Sequence, residues 1–419
     1  MASQKYKAWS VVIMSTLAFT VCFMIWMMFA VIGIPIKQTL GLNETQFGLL
    51  VATPVLTGSL IRLPLGMMTD KFGGRVVFFV LMLSTVIPIY LISLGTEFWH
   101  YLVTGLFVGV AGGSFTVGIA YCARWFPKEQ QGLAMGIFGA GNTGAAVTKL
   151  VAPTIVVAYG WTMVPQVYAV LMLGTAIMFW FFTYTDTSHV VGKSVSIGEQ
   201  LSALKDPVVW KYSQYYSIVF GGYVALALWM TKYYINEYGF DIKTAAFLAA
   251  AFSVPGGVLR AVGGWFSDKF GAHTVTYWVM LISMVCLFLL SFPNADFTIK
   301  TVTGPVTFNI GLTATWFTVI MFTLGIAFAI GKASVFKYIS DDYPKNIGVI
   351  SGVVGLAGGM GGFLLPIMFG ALVDLTGIRS SAFMLMFGVV WVSLMWMYWT
   401  EVRILDKAAG KRTAVDTLE

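Results

Sequence analysis

Charge is what this chain has least of. Only 10% of its 419 residues are Asp, Glu, Lys or Arg, against 58% hydrophobic, whereas an ordinary soluble domain carries about 25% charged residues. So few charges cannot cover a water-facing surface, which excludes an intracellular enzyme, a secreted scaffold or a disordered tail. Cysteine is scarce too. Cys22, Cys122 and Cys286 lie far apart inside apolar runs, so neither a disulfide framework nor a metal cluster is expected. The three histidines (His100, His189 and His273) form no His-Glu-x-x-His pattern. No nucleophile elbow occurs either, so no metal, cofactor or enzyme chemistry is expected. The net charge of +7 comes without a basic block, and no nucleic-acid partner is expected. A cleavable signal peptide is not expected, because the first apolar run is too long and lacks a small-residue cleavage site.

Long apolar runs are what the chain does have. A transmembrane helix needs roughly 20 mostly apolar residues. That ruler predicts twelve spans, near 10–35, 46–68, 76–95, 99–123, 132–158, 163–184, 209–231, 245–266, 274–292, 311–336, 347–373 and 380–400. The class is therefore an all-α membrane protein in contact with lipid. Two polar connections stand out: 185–208, read as a central linker, and 293–310, read as a loop outside the membrane. The expected organisation is a six-helix bundle over 1–190, a linker over 191–208, a second bundle over 209–402 and a tail over 403–419. With the N-terminus inside, only Lys37, Lys232, Lys243, Lys300 and Arg379 face outward, against sixteen cations inward. That asymmetry agrees with the positive-inside rule and puts both termini in the cytoplasm. Arg62, Lys149, Arg260 and Lys332 remain inside apolar segments.

An internal repeat relates the halves. Gly58-Ser-Leu-Ile-Arg62-Leu-Pro-Leu-Gly66-Met-Met-Thr-Asp70-Lys71-Phe72-Gly73 realigns 198 residues later as Gly256-Gly-Val-Leu-Arg260-Ala-Val-Gly-Gly264-Trp-Phe-Ser-Asp268-Lys269-Phe270-Gly271, with seven of sixteen positions identical. Repeats of this kind suggest a transporter with a pseudo-twofold axis along the membrane normal. The two arginines lie about 12 Å up their helices from the loops that follow, at 1.5 Å per residue. An arginine at such depth costs at least about 2.5 kcal/mol and cannot escape by deprotonating. Every acidic residue falls in a loop or at a helix end, so no intramembrane carboxylate is expected as counter-ion. The missing negative charge is then the cargo, and paired guanidinium forks suit a planar oxyanion.

The fifth and eleventh spans are rich in glycine, among them Gly136, Gly139, Gly141, Gly144, Gly355, Gly359 and Gly361. Close helix packing is the expected role of most of these. Gly139 to Gly144 has P-loop spacing, but Ala145-Ala146 follows where Lys-Ser/Thr is required, so a phosphate loop is excluded.

The Gly-x3-Asp-Lys-Phe-Gly loops at Gly66–Gly73 and Gly264–Gly271 resemble motif A of the major facilitator superfamily. There they imply a cytoplasmic gate latch, with Asp70, Lys71, Arg75, Asp268 and Lys269 as gating residues and Asp70 and Asp268 pairing across a helix boundary. Two further stretches resemble the signatures of the nitrate/nitrite porter (NarK-type) family. The first runs from Ala111-Gly-Gly-Ser-Phe115 through Trp125-Phe126-Pro127 to Gly136, Gly139, Gly141-Asn142-Thr143-Gly144 and Pro153; the second is Gly355-Leu-Ala-Gly-Gly359-Met-Gly361-Gly362-Phe363-x-x-Pro366. The resemblance covers essentially the whole chain. It implies a major facilitator fold of twelve helices in two pseudo-symmetric six-helix bundles, probed by nitrate and nitrite at Arg62, Arg260 and Asn142, with Phe115 against the flat anion and Tyr216 and Phe220 as a further aromatic pair. It also implies a monomer in the inner (cytoplasmic) membrane. The Gly331-Lys332-Ala333 segment resembles the branch thought to carry nitrate with protons. Burial makes lysine a group that can release its proton, so Lys332 and Lys149 are candidates for proton coupling. Nitrate/proton symport is the favoured expectation and nitrate/nitrite exchange the alternative, with another small anion such as formate or oxalate behind both.

Overall fold

The computed structural model describes residues 2–185, 198, 202–343 and 347–402. The expected tail over 403–419 and most of the expected linker over 191–208 lie outside the described residues. The first half comprises α1 (Ala2–Trp26), α2 (Phe29–Leu40), α3 (Glu44–Leu60), α4 (Arg62–Phe72), α5 (Gly74–Leu91), α6 (Phe98–Val108), α7 (Ser114–Ala123), α8 (Lys128–Gly139), α9 (Gly144–Tyr159) and α10 (Met163–Phe182). The second comprises α11 (Pro207–Tyr216), α12 (Tyr223–Tyr238), α13 (Ile242–Val258), α14 (Arg260–Phe270), α15 (Ala272–Leu290), α16 (Ala314–Asp342), α17 (Ile347–Thr376) and α18 (Ser381–Met397). Helices satisfy their own backbone groups, which hydrocarbon cannot do for them. Their outer faces carry exposed apolar side chains such as Phe107, Val170, Phe181 and Trp278, a surface suited to lipid.

Among the described residues nine helices are long and apolar enough to cross a membrane, or eleven if each of two bent pairs is one span. The segment expected over 132–158 is helical as α8, a 3-10 turn at Ala140–Thr143 and α9. It stands outside those eleven, and it carries Asn142, Thr143, Thr148 and Lys149. The loop expected over 293–310 needs correction. Residues Ala295–Thr301 (β1) and Gly304–Ile310 (β2) form an antiparallel hairpin with Phe297 opposite Phe308 and Ile299 opposite Val306. Phe297, Ile299, Val306, Phe308 and Ile310 alternate with polar residues, which is strand patterning.

The repeat is visible in the backbone. Both bent pairs are its two copies: α3 and α4 meet at 41°, α13 and α14 at 47°. Each second helix ends on a glycine with nearly the same conformation, Gly73 at φ 83°, ψ 145° and Gly271 at φ 84°, ψ 145°. Helices of opposite halves pack α3 on α17, α9 on α13 and α2 on α12. The α3–α17 contact is close because side chains are missing there. A Cβ at Gly48 would strike the Pro366 carbonyl, and one at Gly359 would strike Ser59.

Candidate functional site

Each helix bend delivers an arginine, since Arg62 and Arg260 are the first residues of α4 and α14. Other irregular turns supply the surroundings. A 3-10 segment at Gly109–Gly113 precedes Ser114-Phe115, and a π-helical turn at Ser217–Gly222 carries Phe220. Such turns recur at functional sites because they re-aim side chains without ending the helix.

Six side chains from five spans close a circuit. Phe115 meets both guanidiniums, its ring centre 5.8 Å from Arg62 Cζ and 5.1 Å from Arg260 Cζ. Arg62 also lies over Phe220 at 5.1 Å, and Arg260 over Phe336 at 5.3 Å. Tyr216 joins those two rings, stacked on Phe220 at 5.1 Å and edge-on to Phe336 at 5.1 Å. The rings offset part of each positive charge, by about 0.5–2 kcal/mol per contact, and they consume no N–H donor in doing so. Arg62 is buried and Arg260 half-buried. Among the described residues neither takes part in an ion pair. Arg62 Nε and Arg260 Nη1 are buried without a hydrogen-bond partner.

Neither guanidinium meets a carboxylate among the described residues, but one has a backbone partner. Arg62 Nη1 donates to the Gly355 carbonyl at 3.2 Å. One neutral acceptor leaves the charge uncompensated. Asn142 is buried, but its amide donates to the Gly139 carbonyl of its own helix at 2.9 Å, so it stands beside the circuit rather than in it. Gly139 faces Arg260 and Gly136 faces Ala261; Gly141 and Gly144 pack on α1, and Gly361 on Ser217.

Phe336 was not among the residues expected from the sequence. Its signal was its place one helical turn after Lys332, on the same face of α16.

Both intramembrane lysines reach α13. Lys149 Nζ donates to Ser253 Oγ at 2.5 Å, linking the first half to the second. Lys332 Nζ donates to the Gly256 carbonyl at 2.6 Å and lies 3.5 Å from the centre of the Tyr223 ring. Tyr223 Oη donates to the Ser253 carbonyl at 2.9 Å, so one short stretch of α13 and one tyrosine connect the two lysines. Each lysine is almost fully buried.

The repeated loops do not pair with each other in this conformation. Asp70 pairs with Arg124 at the end of α7, and Asp268 pairs with Lys337 of α16 at 3.4 Å, so each bond stays within its own half. Arg75 donates to the Trp180 carbonyl at 2.5 Å, with its guanidinium 4.3 Å from that indole. Lys71 and Lys269 are exposed beside neighbouring aromatic rings. At the same end Glu401 joins Lys211 at 2.6 Å, His273 and Tyr338, again within the second half.

Among the described residues, bonds between halves cluster at the opposite end. Asp374 of α17 accepts from the Glu44 and Thr45 amides at 3.0 and 2.8 Å, and Glu44 pairs with Lys232. Lys232 is 5% exposed, because α12 continues past it to Tyr238 and its Nζ lies over the Phe47 and Trp229 rings at 4.5 and 4.1 Å. Among the described residues, then, a cross-half ion pair and capping bonds hold the end away from the repeated loops.

Bent helix pairs, a repeat spanning two halves and an uncompensated cationic centre among apolar helices define a membrane transporter. The profile of the Major Facilitator Superfamily matches residues 14–366. A probable nitrate/nitrite antiporter NarK1 of Thermus thermophilus is 38% identical over 94% of this chain and 92% of its own. A nitrite extrusion protein of Bacillus subtilis (strain 168) is 30% identical over 93% and 94%. A bacterial homologue of the human lysosomal transporter Spinster, solved inward-facing and occupied, superposes with a TM-score of 0.68 over 94% of this chain and 96% of that one, at 16% identity. The chain belongs to the major facilitator superfamily and, within it, to the nitrate/nitrite porter (NarK-type) family. It is a multi-pass membrane transporter, not an enzyme.

Proposed function

We propose that this protein carries nitrate, and also nitrite, across the inner (cytoplasmic) membrane by alternating access. The observation that carries the reading is the Arg62–Phe115–Arg260 arrangement: two uncompensated guanidiniums about one ring, with donors left free. A planar monovalent anion presents in-plane oxygens to those donors and tolerates aromatic neighbours. The names of the relatives support the same substrates. Arg62 and Arg260 bind the anion, Phe115, Tyr216 and Phe220 shape its site, and Asn142 turns its amide toward it in another state of the cycle. Residues 1–190 and 209–402 act as two bundles that rock about the site, with the linker and both termini in the cytoplasm and the chain acting as a monomer. Asp70, Lys71, Arg75, Asp268 and Lys269 gate the cytoplasmic side.

Proton coupling is the favoured mode. The buried Lys332 and Lys149 offer groups that can take up and release a proton near the anion, which the geometry of α13 would relay between halves. Nitrate/nitrite exchange is the second reading, favoured by the antiporter name of the Thermus relative. Uptake into proteoliposomes separates them. An imposed proton gradient should suffice for symport, whereas exchange requires preloaded nitrite. In the first case Lys332→Gln should abolish the response to the gradient, and an unchanged response removes Lys332 from coupling. Competition by formate or oxalate equal to that by nitrate would count against the choice of substrate.

A further inference from the structure

The face with fewest cations gathers three of them in one place. Lys37, Lys232 and Arg379 surround the junction of α3, α12 and α17 at the end away from the repeated loops. Lys37 lies 3.5 Å from Glu44, Lys232 pairs with the same carboxylate, and Arg379 lies 3.2 Å from Glu237. A small cavity opens beside them, lined by Lys232, Arg379, Asn236, Tyr233, Glu44 and Trp229. The arrangement of partners between halves is unequal. Lys37 and Glu44 both belong to the first half, and Arg379 and Glu237 both to the second, so these pairs survive a parting of the halves. The Glu44–Lys232 pair does not, because it is shared.

Parting therefore strips one buried cation of its carboxylate. Asp374 also loses its partners, the Glu44 and Thr45 amides, but it is exposed and water can serve it. Lys232 is 5% exposed, with the Trp229 ring centre 4.1 Å from its Nζ. Glu44 and Phe47 leave with the first half, so Lys232 then faces the opened mouth as an unpaired cation flanked by Trp229, Tyr233 and Asn236 of its own half, a lining that suits an anion from solution.

We propose that Lys232, with Asn236 and Tyr233 beside it, forms a second site for a small monovalent anion at the mouth opposite the repeated loops, and that the Glu44 carboxylate is its tethered competitor. In the closed state Glu44 occupies Lys232. On opening, Glu44 leaves with the first half, the anion replaces it, and closure returns Glu44 and drives the anion inward to the arginine circuit. The proposal rests on the transport reading above, since it needs the halves to part at this end.

The test compares the two faces of the membrane, using anion uptake by right-side-out and everted vesicles of cells making the full chain. Lys232→Gln should raise the apparent KM for anion presented at the Lys232 end by roughly tenfold at low ionic strength. Added salt should shrink that effect, and the KM from the other end should stay within about twofold, as a site met from one side requires. Glu44→Gln should lower the KM at the Lys232 end only. The exchanged pair, Glu44→Lys with Lys232→Glu, restores the seal but leaves a carboxylate at the mouth, so its KM there should remain high. Equal changes at both ends, or a wild-type KM in the exchanged pair, would reduce the contact to a seal and overturn the proposal. Failure of the unsubstituted chain to carry nitrate would instead strike the reading of the central site. The same two-sided comparison, run with whichever small anion is carried, decides Lys232 separately.

Discussion

Arg62 and Arg260, 198 residues apart in the chain, share one phenylalanine, with their Cζ atoms 5.8 and 5.1 Å from the centre of the Phe115 ring. Two like charges held so near each other and away from any carboxylate gain from an anion between them what neither gains alone. Lysine keeps the charge but loses the planar fork. Arg62→Lys and Arg260→Lys should therefore each weaken nitrate binding by about 1.5–3 kcal/mol, the worth of a hydrogen bond to a charged group. Titration calorimetry on purified protein, with thermal unfolding as a check on folding, measures this. Wild-type affinity in either variant would remove that arginine from the site.

The aromatic circuit predicts a graded series. Phe115 touches both guanidiniums, whereas Phe336 touches only Arg260. Phe115→Ala should lower anion affinity more than Phe336→Ala does, because it frees both guanidiniums from their shared ring rather than one. A double-mutant cycle should find Phe336→Ala coupled to Arg260→Lys and additive with Arg62→Lys. The opposite pattern would show that the circuit does not persist in the anion-bound state.

Glycines of the eleventh span should differ sharply in tolerance. A Cβ at Gly358 would collide with the Tyr216 ring, while one at Gly355 would make an ordinary 3.7 Å contact with Arg62 Nη1. Gly358→Ala should destabilise the protein by about 1–3 kcal/mol through overpacking and displace the Tyr216–Phe220 stack, with transport reduced. Gly355→Ala should fold and transport. Unfolding temperatures in detergent and initial uptake rates check both.

The repeated loop glycines should behave as a matched pair. At φ 83° and 84° with ψ 145°, Gly73→Ala and Gly271→Ala each place a Cβ in a positive-φ, extended conformation almost confined to glycine, at a cost of about 1–3 kcal/mol. Nothing else lies within 4 Å of either added carbon, so backbone strain alone should set the loss, and the two drops in unfolding temperature should agree. A large difference would mean that the halves are not equivalent here.

Much of this was legible because bilayer insertion imposes rules that sequence obeys locally. Low charge and long apolar runs announce helices that keep their own backbone bonds, and Arg62 and Arg260 are conspicuous because charge at that depth is costly. The hairpin at Ala295–Ile310 was legible too, in its alternation, but was expected as a loop on polarity alone. The burial of Lys232 was not legible, because it comes from the approach of Glu44 and Phe47 from the other half.

The order of residues alone determined the membrane class, the repeat and the two arginines, because hydropathy and duplication are properties of a chain read along its length. Which groups meet was decided by folding. Phe336 enters the circuit, Asn142 turns to Gly139, and the lysines meet on α13 because bent and irregular helices from both halves converge there. Such contacts depend on helix rotation and close approach in three dimensions, which spacing along a sequence does not specify.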